Sequence, residues 1–223
     1  MAYQFDFSSV VPFTGMIAEG LGRTALLTLI GTVFGLALGI IGGACRAWRV
    51  QPISSIFRIY VEIIRNTPFL VQLFFIFFGL PAVGVTMNAW TASILAMIIN
   101  LGAYSTEIVR AGIQATPKGQ IEAAASLAMT RFQILRHVVL PPSLGRVWPA
   151  LCSQIIIVML GSSVCSQISM EELTFVANFV QSRNFRGFEI YIVVAILYLI
   201  FAIGIRALLM RIGRICFKGS VHS

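Results

Sequence analysis

The sequence predicts an all-α integral membrane protein, folded as a single transmembrane domain over residues 1–223 with about five transmembrane helices. Of the 223 residues, 58% are hydrophobic and only 11% are charged. An ordinary soluble domain is about 25% charged, so this chain has too little polar surface to cover a water-facing globule. Five apolar runs also approach the length that crosses a bilayer, at residues 24–44, 59–80, 89–111, 146–164 and 189–210.

The first run carries a regular series of glycines, at Gly31, Gly35, Gly39 and Gly43. A spacing of four residues places them on one face of a helix, where a second helix backbone can approach closely. The alternative is a simple lipid anchor, but an anchor needs no glycine face. We therefore expect this helix to pack against another span.

The second run is interrupted by Thr67-Pro68. Proline removes a backbone hydrogen bond and clashes with the preceding turn, so we expect a kink or break at this point.

The distribution of positive charge predicts an orientation. The net charge of +8 would suggest nucleic acid in a soluble protein, but here the basic residues lie between spans. All of them except Arg23, Arg183 and Arg186 fall in segments that the positive-inside rule assigns to the cytoplasm. The prediction is an N-terminus outside, a cytoplasmic C-terminus and an odd number of spans, with no nucleic-acid partner.

Few residues could support catalysis or metal binding. Cys45, Cys152, Cys165 and Cys216 form no CxxC pair, and we interpret them as small buried hydrophobic residues. Neither histidine, His137 or His222, has a second ligand at metal spacing, so no metal site is expected and a membrane-embedded enzyme is disfavoured. The start of the chain lacks the basic region of a signal peptide.

One polar stretch between the third and fourth runs needs another explanation. Residues 121–143 read IEAAASLAMTRFQILRHVVLPPS. Thr116-Pro117 predicts an N-cap followed by proline at the first helical position, and the helix is expected over 117–129. Leu140-Pro141-Pro142 is expected to stop the helical segment before the next span. Its small side chains suit a helix that enters a groove of another protein; a solvated connecting helix is the alternative.

This stretch resembles the EAA loop of bacterial ABC importer permeases. The matching residues are Glu122, Ala123, Ala124, Leu140 and Pro141, with Ala128 in place of the motif's glycine and Val138 in place of its isoleucine. Four further segments resemble the polar amino acid branch of that family: GLGRTALLTL at 20–29, YVEIIRNTPFLVQLFFIFFGLP at 60–81, AYSTEIVRAGI at 103–113 and SSVCSQISMEEL at 162–173. The resemblance implies the type I ABC importer transmembrane domain with a cytoplasmic coupling helix.

The resemblance also implies a function. The chain would be the non-catalytic permease subunit of an ATP-driven amino acid importer in the bacterial inner membrane, working by alternating access. It has no GxxxxGK[ST] phosphate loop, so ATP and magnesium would be held by a partner ATPase dimer. The other implied partners are a second permease chain, a periplasmic solute-binding protein, the amino acid and the lipid bilayer. The alternatives are a permease for another solute, or a secondary transporter or channel subunit.

Ionisable and polar residues inside spans are candidates for the substrate path. Asn100, Tyr104 and Glu107 share one helix face and, with Ser162 and Ser163, are candidates to line a midplane cavity. Simple hydrogen bonding between helices is the alternative. Two pairs at the same offset are candidate structural ion pairs, Glu107 with Arg110 and Glu62 with Arg65.

Two departures from the family bear on the substrate. Relatives often carry Lys-Asp where this chain has Leu160 and Gly161, and asparagine where it has Ser153. Either the substrate differs or the partner permease, a related but different chain, holds the substrate site. The predicted periplasmic loop over 166–188 carries charges that either meet the solute-binding protein or face solvent: Glu171, Glu172, Arg183 and Arg186.

Overall fold

A computed structural model describes residues 4–217 as a set of helices, with no strand in that part of the chain. The α-helices are α1 (Thr14–Ala47), α2 (Ile53–Arg65), α3 (Phe69–Phe74), α4 (Ala89–Gln114), α5 (Lys118–Ser126), α6 (Arg131–Gln133), α7 (Leu140–Gly161), α8 (Leu173–Asn184) and α9 (Gly187–Cys216). Three 3₁₀ segments, Phe7–Phe13, Leu80–Val83 and Ser162–Ile168, and two π segments, Phe75–Gly79 and Ile134–Val139, extend them.

Within the described residues, four helical stretches are long and apolar enough to cross a membrane. They are Phe7–Ala47, Ala89–Gln114, Arg131–Ile168 and Gly187–Cys216. The bent pair Ile53–Arg65 and Phe69–Val83 makes a fifth span if its two parts are counted together. The predicted break at Thr67-Pro68 is confirmed, because α2 ends at Arg65 and Pro68 adopts an extended conformation before α3 begins.

The described residues form two compact units, each built from three segments. The first comprises the chain up to Gly31, Pro68–Met97 and Ile156–Ile205. Its core joins the N-terminal residues to α8 and the start of α9, through Val10, Ile17, Leu173, Val176, Ala177, Val180, Ile190 and Val194.

Two carboxylates are fully buried in this first unit, Glu172 and Glu189. Glu172 is the N-cap of α8, where one carboxylate oxygen accepts from the backbone N–H of Phe175 at 2.8 Å and the other from the Tyr198 hydroxyl at 2.6 Å. Glu189 accepts from the backbone N–H of Asp6 at 3.0 Å and pairs with Arg186 at 3.3 Å. Both buried charges therefore have hydrogen-bond partners, as burial requires.

The second unit comprises Thr32–Thr67, Ile98–Ile155 and the chain from Arg206 onward. In this unit Gly35, Gly39 and Gly43 of α1 face Leu101, Ser105 and Val109 of α4, so the two helices run in the same direction. Gly31 faces Met97 in the first unit. The glycine face predicted from the sequence is therefore confirmed as a helix–helix contact.

The cysteines are all free, and the expectation that they are buried is only partly right. Cys152 and Cys165 are buried and Cys45 is half-buried, but Cys216 is exposed near the end of α9. His222, like Lys218, lies outside the described residues.

Candidate coupling segment and polar cavity

The EAA residues form a short helix that presents most of its surface outward. α5 begins at Lys118 after Pro117, and only Ala124 is buried, against the core of the second unit that includes Ile113, Ile134 and Val139. Glu122 and Ala123 are exposed. Ala124 and the partly buried Ile121 anchor the helix to this core, and its other side chains are exposed.

α5 ends in a tight turn at Ala128. The backbone N–H of Met129 donates to the carbonyl of Ala124 at 3.3 Å, and that of Ala128 to the carbonyl of Ala125 at 3.0 Å. This is the Schellman arrangement, whose central residue is left-handed and usually glycine. Ala128 is this central residue, with a left-handed φ of 56°. The EAA motif carries glycine at the same position, and glycine adopts a positive φ without steric cost.

Two large apolar side chains flank this turn. Leu127 is 78% exposed and Phe132 is 67% exposed. Thr130 caps the next helical turn through a reciprocal capping box with Gln133, which fixes the backbone between them. The turn therefore holds two hydrophobic side chains outward on a defined backbone.

The prediction that Leu140-Pro141-Pro142 stops the helix is wrong. Residues 131–168 are helical throughout, and α7 begins at Leu140 with both prolines in its first turn. Proline is tolerated in a first turn, because no intrahelical partner is required of its nitrogen. The wider π segment Ile134–Val139 immediately precedes it, and such π turns shift the hydrogen-bond pattern of a helix.

The prediction that Thr116 caps the coupling helix is also wrong. Pro117 is the N-cap of α5 and makes no side-chain cap bond. The buried Thr116 hydroxyl lies 3.1 Å from that of Ser143, and Arg146 donates to the carbonyl of Ala115 at 3.1 Å. These bonds join the end of α4 to the start of α7, on either side of the coupling segment.

A polar cavity of 420 Å³ lies in the second unit, between α1, α2 and α4. Glu107, whose side chain is 23% exposed, forms ion pairs with Arg46 and with Arg110. The sequence interpretation included Arg110 as a pair candidate but missed Arg46, because Arg46 is 61 positions away. The lining residues are Arg46, Arg58, Val61, Glu62, Arg65, Asn66, Tyr104 and Glu107.

Glu62 and Arg65 form no ion pair in the described part of the chain, contrary to the prediction. The Arg65 guanidinium lies over the ring of Tyr104, 5.4 Å from its centroid, in a cation–π contact. The outward-facing Glu62 gains little from an exposed neighbour on its own helix.

The substrate-path candidates already have partners. The Glu107 carboxylate is shared by two arginines, the Tyr104 ring is covered by Arg65, and Asn100 is buried. In the first unit, Ser162 and Ser163 donate to the carbonyls of Met159 and Leu160, at 2.6 and 2.7 Å. The contacts of Glu107 with Arg46 and of Tyr104 with Arg65 join neighbouring helices, as in the alternative interpretation, whereas the two serines bond within their own helical segment.

The loop predicted to face a binding protein is largely helical, and its charges are engaged. Glu171 pairs with Arg23, Arg183 lies over the ring of Phe179 at 5.0 Å, and Arg186 pairs with Glu189. Glu172 is buried and cannot meet a partner's surface. Burial raises the pKa of its carboxyl above the ordinary value of 4.5.

No three metal-ligating side chains come together among residues 4–217.

Comparison with known proteins decides the family. The model of the binding-protein-dependent transport system inner membrane component matches residues 16–214. The chain belongs to this family. The resemblance to ABC importer permeases is thereby confirmed, and so is the expected type I transmembrane fold.

Individual relatives of this permease agree in length and fold. The glutamine transport system permease protein GlnP of Escherichia coli strain K12 is 33% identical over 213 residues, 95% of this chain and 97% of that protein. The L-cystine transport system permease protein TcyB of Bacillus subtilis is 37% identical over 187 residues, 83% of this chain and 80% of that protein. A crystal structure of an amino acid ABC transporter with histidines has a TM-score of 0.85 at 37% identity, covering 95% of this chain and 99% of that one.

Proposed function

We propose that this permease is a membrane-spanning subunit of an ATP-driven amino acid importer and that α5 couples it to a separate ATPase. The relatives GlnP and TcyB are named for glutamine and L-cystine transport. An amino acid is therefore the substrate class that these similarities support, and ATP with magnesium would bind to the partner.

The observation that carries the coupling role is the outward surface around the Schellman turn. Leu127 and Phe132 are mostly exposed, and Ala123 is a small exposed residue beside Glu122. Large apolar side chains held outward on a fixed backbone are typical of protein-binding surfaces. A small-residue helix with two such anchors fits a groove in another protein.

The bonds at the two ends of the segment would transmit movement. The Thr116–Ser143 hydroxyl contact and the Arg146 bond to Ala115 join α4 to α7. A force applied at α5 would move these helices together as a rigid body, which is how coupled domain motions are carried. With the cytoplasmic assignment of the basic segments, α5 would lie on the side of the ATPase, and the N-terminus would lie outside.

We further propose that the polar residues of α4 brace this chain and that the second permease chain carries the charged part of the substrate site. By the resemblance, Leu160 and Gly161 stand where relatives often carry Lys-Asp, and Glu107 is already occupied by two arginines. A periplasmic solute-binding protein would deliver the substrate, and the exposed apolar side chains of α9 would face lipid.

The coupling proposal is tested with the assembled complex of this chain, its permease partner, the ATPase and the binding protein. Leu127→Ser and Phe132→Ser should each weaken ATPase retention and abolish the stimulation of ATP hydrolysis by loaded binding protein. Ile212→Ser, an exposed apolar side chain on α9, serves as the control and should leave both unchanged. Normal retention and stimulation in the double Leu127→Ser/Phe132→Ser variant would contradict the coupling role.

A further inference from the structure

Helix α2 has three distinct faces rather than two. Phe57, Tyr60 and Val61 face the helix bundle: Phe57 approaches Gly42, Val61 is buried, and the Tyr60 hydroxyl donates to the carbonyl of Ile99 at 2.5 Å. At 100° per residue, two other faces lie on either side of this one and border each other. One is apolar and the other is polar.

The apolar face is a strip of three exposed isoleucines. Ile56, Ile59 and Ile63 are 63%, 60% and 56% exposed. They follow one another at helical spacing, so they form a continuous apolar strip. The polar face carries Arg58, Glu62 and Arg65 and lines the cavity beside α1 and α4.

This arrangement suits the boundary between the acyl chains and the headgroups of a bilayer. Helices that lie at this boundary have an apolar strip toward the lipid tails and basic residues toward the phosphates. Arg58 and Arg65 would be costly within the hydrocarbon core. The basic segment after α1 also marks the side on which anionic lipid phosphates attract arginine.

Three charged groups at the cavity have no partner of opposite charge among the described residues. Glu107 is shared by Arg46 and Arg110, while the guanidinium groups of Arg58 and Arg65 contact no carboxylate in the described residues. The flat face of the Arg65 guanidinium lies over the Tyr104 ring, so the N–H groups at its edge can donate to another acceptor. The exposed Glu62 carboxylate is equally without a basic partner among these residues.

We propose that this cavity binds the headgroup of a phospholipid that carries both a phosphate and a primary ammonium group. Arg58 and Arg65 hold the phosphate, as guanidinium groups bind phosphate through forked N–H bonds. Glu62 accepts from the ammonium, and the acyl chains follow the isoleucine strip. The cavity volume of 420 Å³ accommodates a headgroup without displacing Glu107 from its two arginines.

The occupant is a lipid rather than a second permease chain because charge complementarity accompanies the apolar strip. A phosphate beside an ammonium matches the two arginines and one carboxylate, and two acyl chains match exposed isoleucines. A soluble phosphate ester shares the headgroup chemistry, but it has no acyl chains to contact Ile56, Ile59 and Ile63.

The test uses the assembled transporter, stripped of lipid in detergent and titrated with phosphatidylethanolamine, phosphatidylglycerol or phosphatidylcholine of identical acyl chains. Bound lipid per complex is counted by native mass spectrometry. Phosphatidylethanolamine should bind most tightly. Arg58→Gln/Arg65→Gln should weaken its binding about thirty-fold. Glu62→Gln should reduce its advantage over phosphatidylglycerol about fivefold.

The matched control removes the same charge elsewhere. Arg211→Gln/Arg214→Gln lies on the exposed surface of α9, and it should change lipid binding less than twofold. Equal losses in the two double variants would show a general charge effect and overturn the site. Phosphoethanolamine at millimolar concentration separates a lipid site from a site for soluble phosphate esters, and binding as tight as that of the lipid would also overturn the proposal.

A second measurement keeps the proposal testable if the double variant fails to assemble. The wild-type complex is titrated with diacylglycerol of the same acyl chains, which lacks the phosphate and the ammonium. Binding at least ten times weaker than that of phosphatidylethanolamine is expected. Equal binding, or no lipid retained because a second chain covers α2, would contradict the assignment.

Discussion

Gly39 of α1 lies so close to Ser105 of α4 that one methyl group on Gly39 would overlap the Ser105 side chain. The contact is the tightest of the glycine series, and it holds two helices that run in the same direction. Gly39→Ala should therefore lower the stability of the assembled protein by about 1 to 3 kcal/mol, since overpacking forces side chains and backbone to shift. The midpoint of thermal unfolding in detergent measures the change.

Gly204 in α9 provides the matched control. A Cβ atom there would meet nothing within 4 Å, so Gly204→Ala should raise stability by up to about 1 kcal/mol, because alanine favours the helix. A Gly39→Ala protein as stable as Gly204→Ala would mean that the α1–α4 contact is loose enough to take the added methyl group.

At Ala128, in the turn that ends α5, glycine should be more stable than alanine, whereas Gly204 of α9 should gain stability from alanine. Ala128→Gly should stabilise the segment by about 1 kcal/mol, because its left-handed conformation is unfavourable for a residue with a Cβ atom. Ala125→Gly, in the preceding helix, should destabilise it by a similar amount. Amide hydrogen exchange over residues 121–130 compares the two, and slower exchange in Ala125→Gly than in Ala128→Gly would refute the Schellman turn.

Glu107 tests whether the polar residues of α4 brace the chain or bind substrate. Glu107→Gln leaves Arg46 and Arg110 without their shared carboxylate. We expect a loss of stability of about 1 to 2 kcal/mol, reduced by partial exposure to solvent, with the KM for substrate unchanged. Glu62 is in no ion pair of the described residues, so Glu62→Gln should leave stability unchanged. A raised KM at normal stability would place Glu107 in the substrate path.

Glu172 predicts a pH dependence of stability. Burial raises the pKa of its carboxyl above 4.5 in the folded protein, so the folded state binds the proton more readily than the unfolded state. Stability should therefore fall as pH rises from about 4.5 through the raised pKa. Glu172→Gln should show a weaker fall over this range, as measured by thermal unfolding at several pH values. Parallel curves for the two proteins would exclude this contribution.

The sequence predicted features that depend on local spacing and chemistry. Three features each follow from a few neighbouring residues and can be recognised in the amino-acid sequence alone: the glycine face of α1, the break before Pro68 and the EAA segment. The resemblance to the permease family added the fold as a whole, because four separate motifs occur in the expected order.

Features that depend on tertiary contacts were missed. Arg46 reaches Glu107 because α1 packs on α4. Glu172 is buried where the Tyr198 hydroxyl of α9 donates a hydrogen bond to its carboxylate. The Leu140-Pro141-Pro142 prediction failed for a different reason. Proline is typical of the end of a preceding helix, but also of the first turn of a new one. The π segment Ile134–Val139, which joins α6 to α7, has no clear sequence signal.

The measurement that tests the central claim most directly is uptake of labelled amino acids into proteoliposomes. The vesicles contain this chain with its permease partner and ATPase, together with the binding protein, and are supplied with or without ATP. We expect concentrative uptake that requires ATP and is lost in Leu127→Ser/Phe132→Ser. Uptake that proceeds equally without ATP in the assembled complex would contradict the account and favour a secondary transporter or channel.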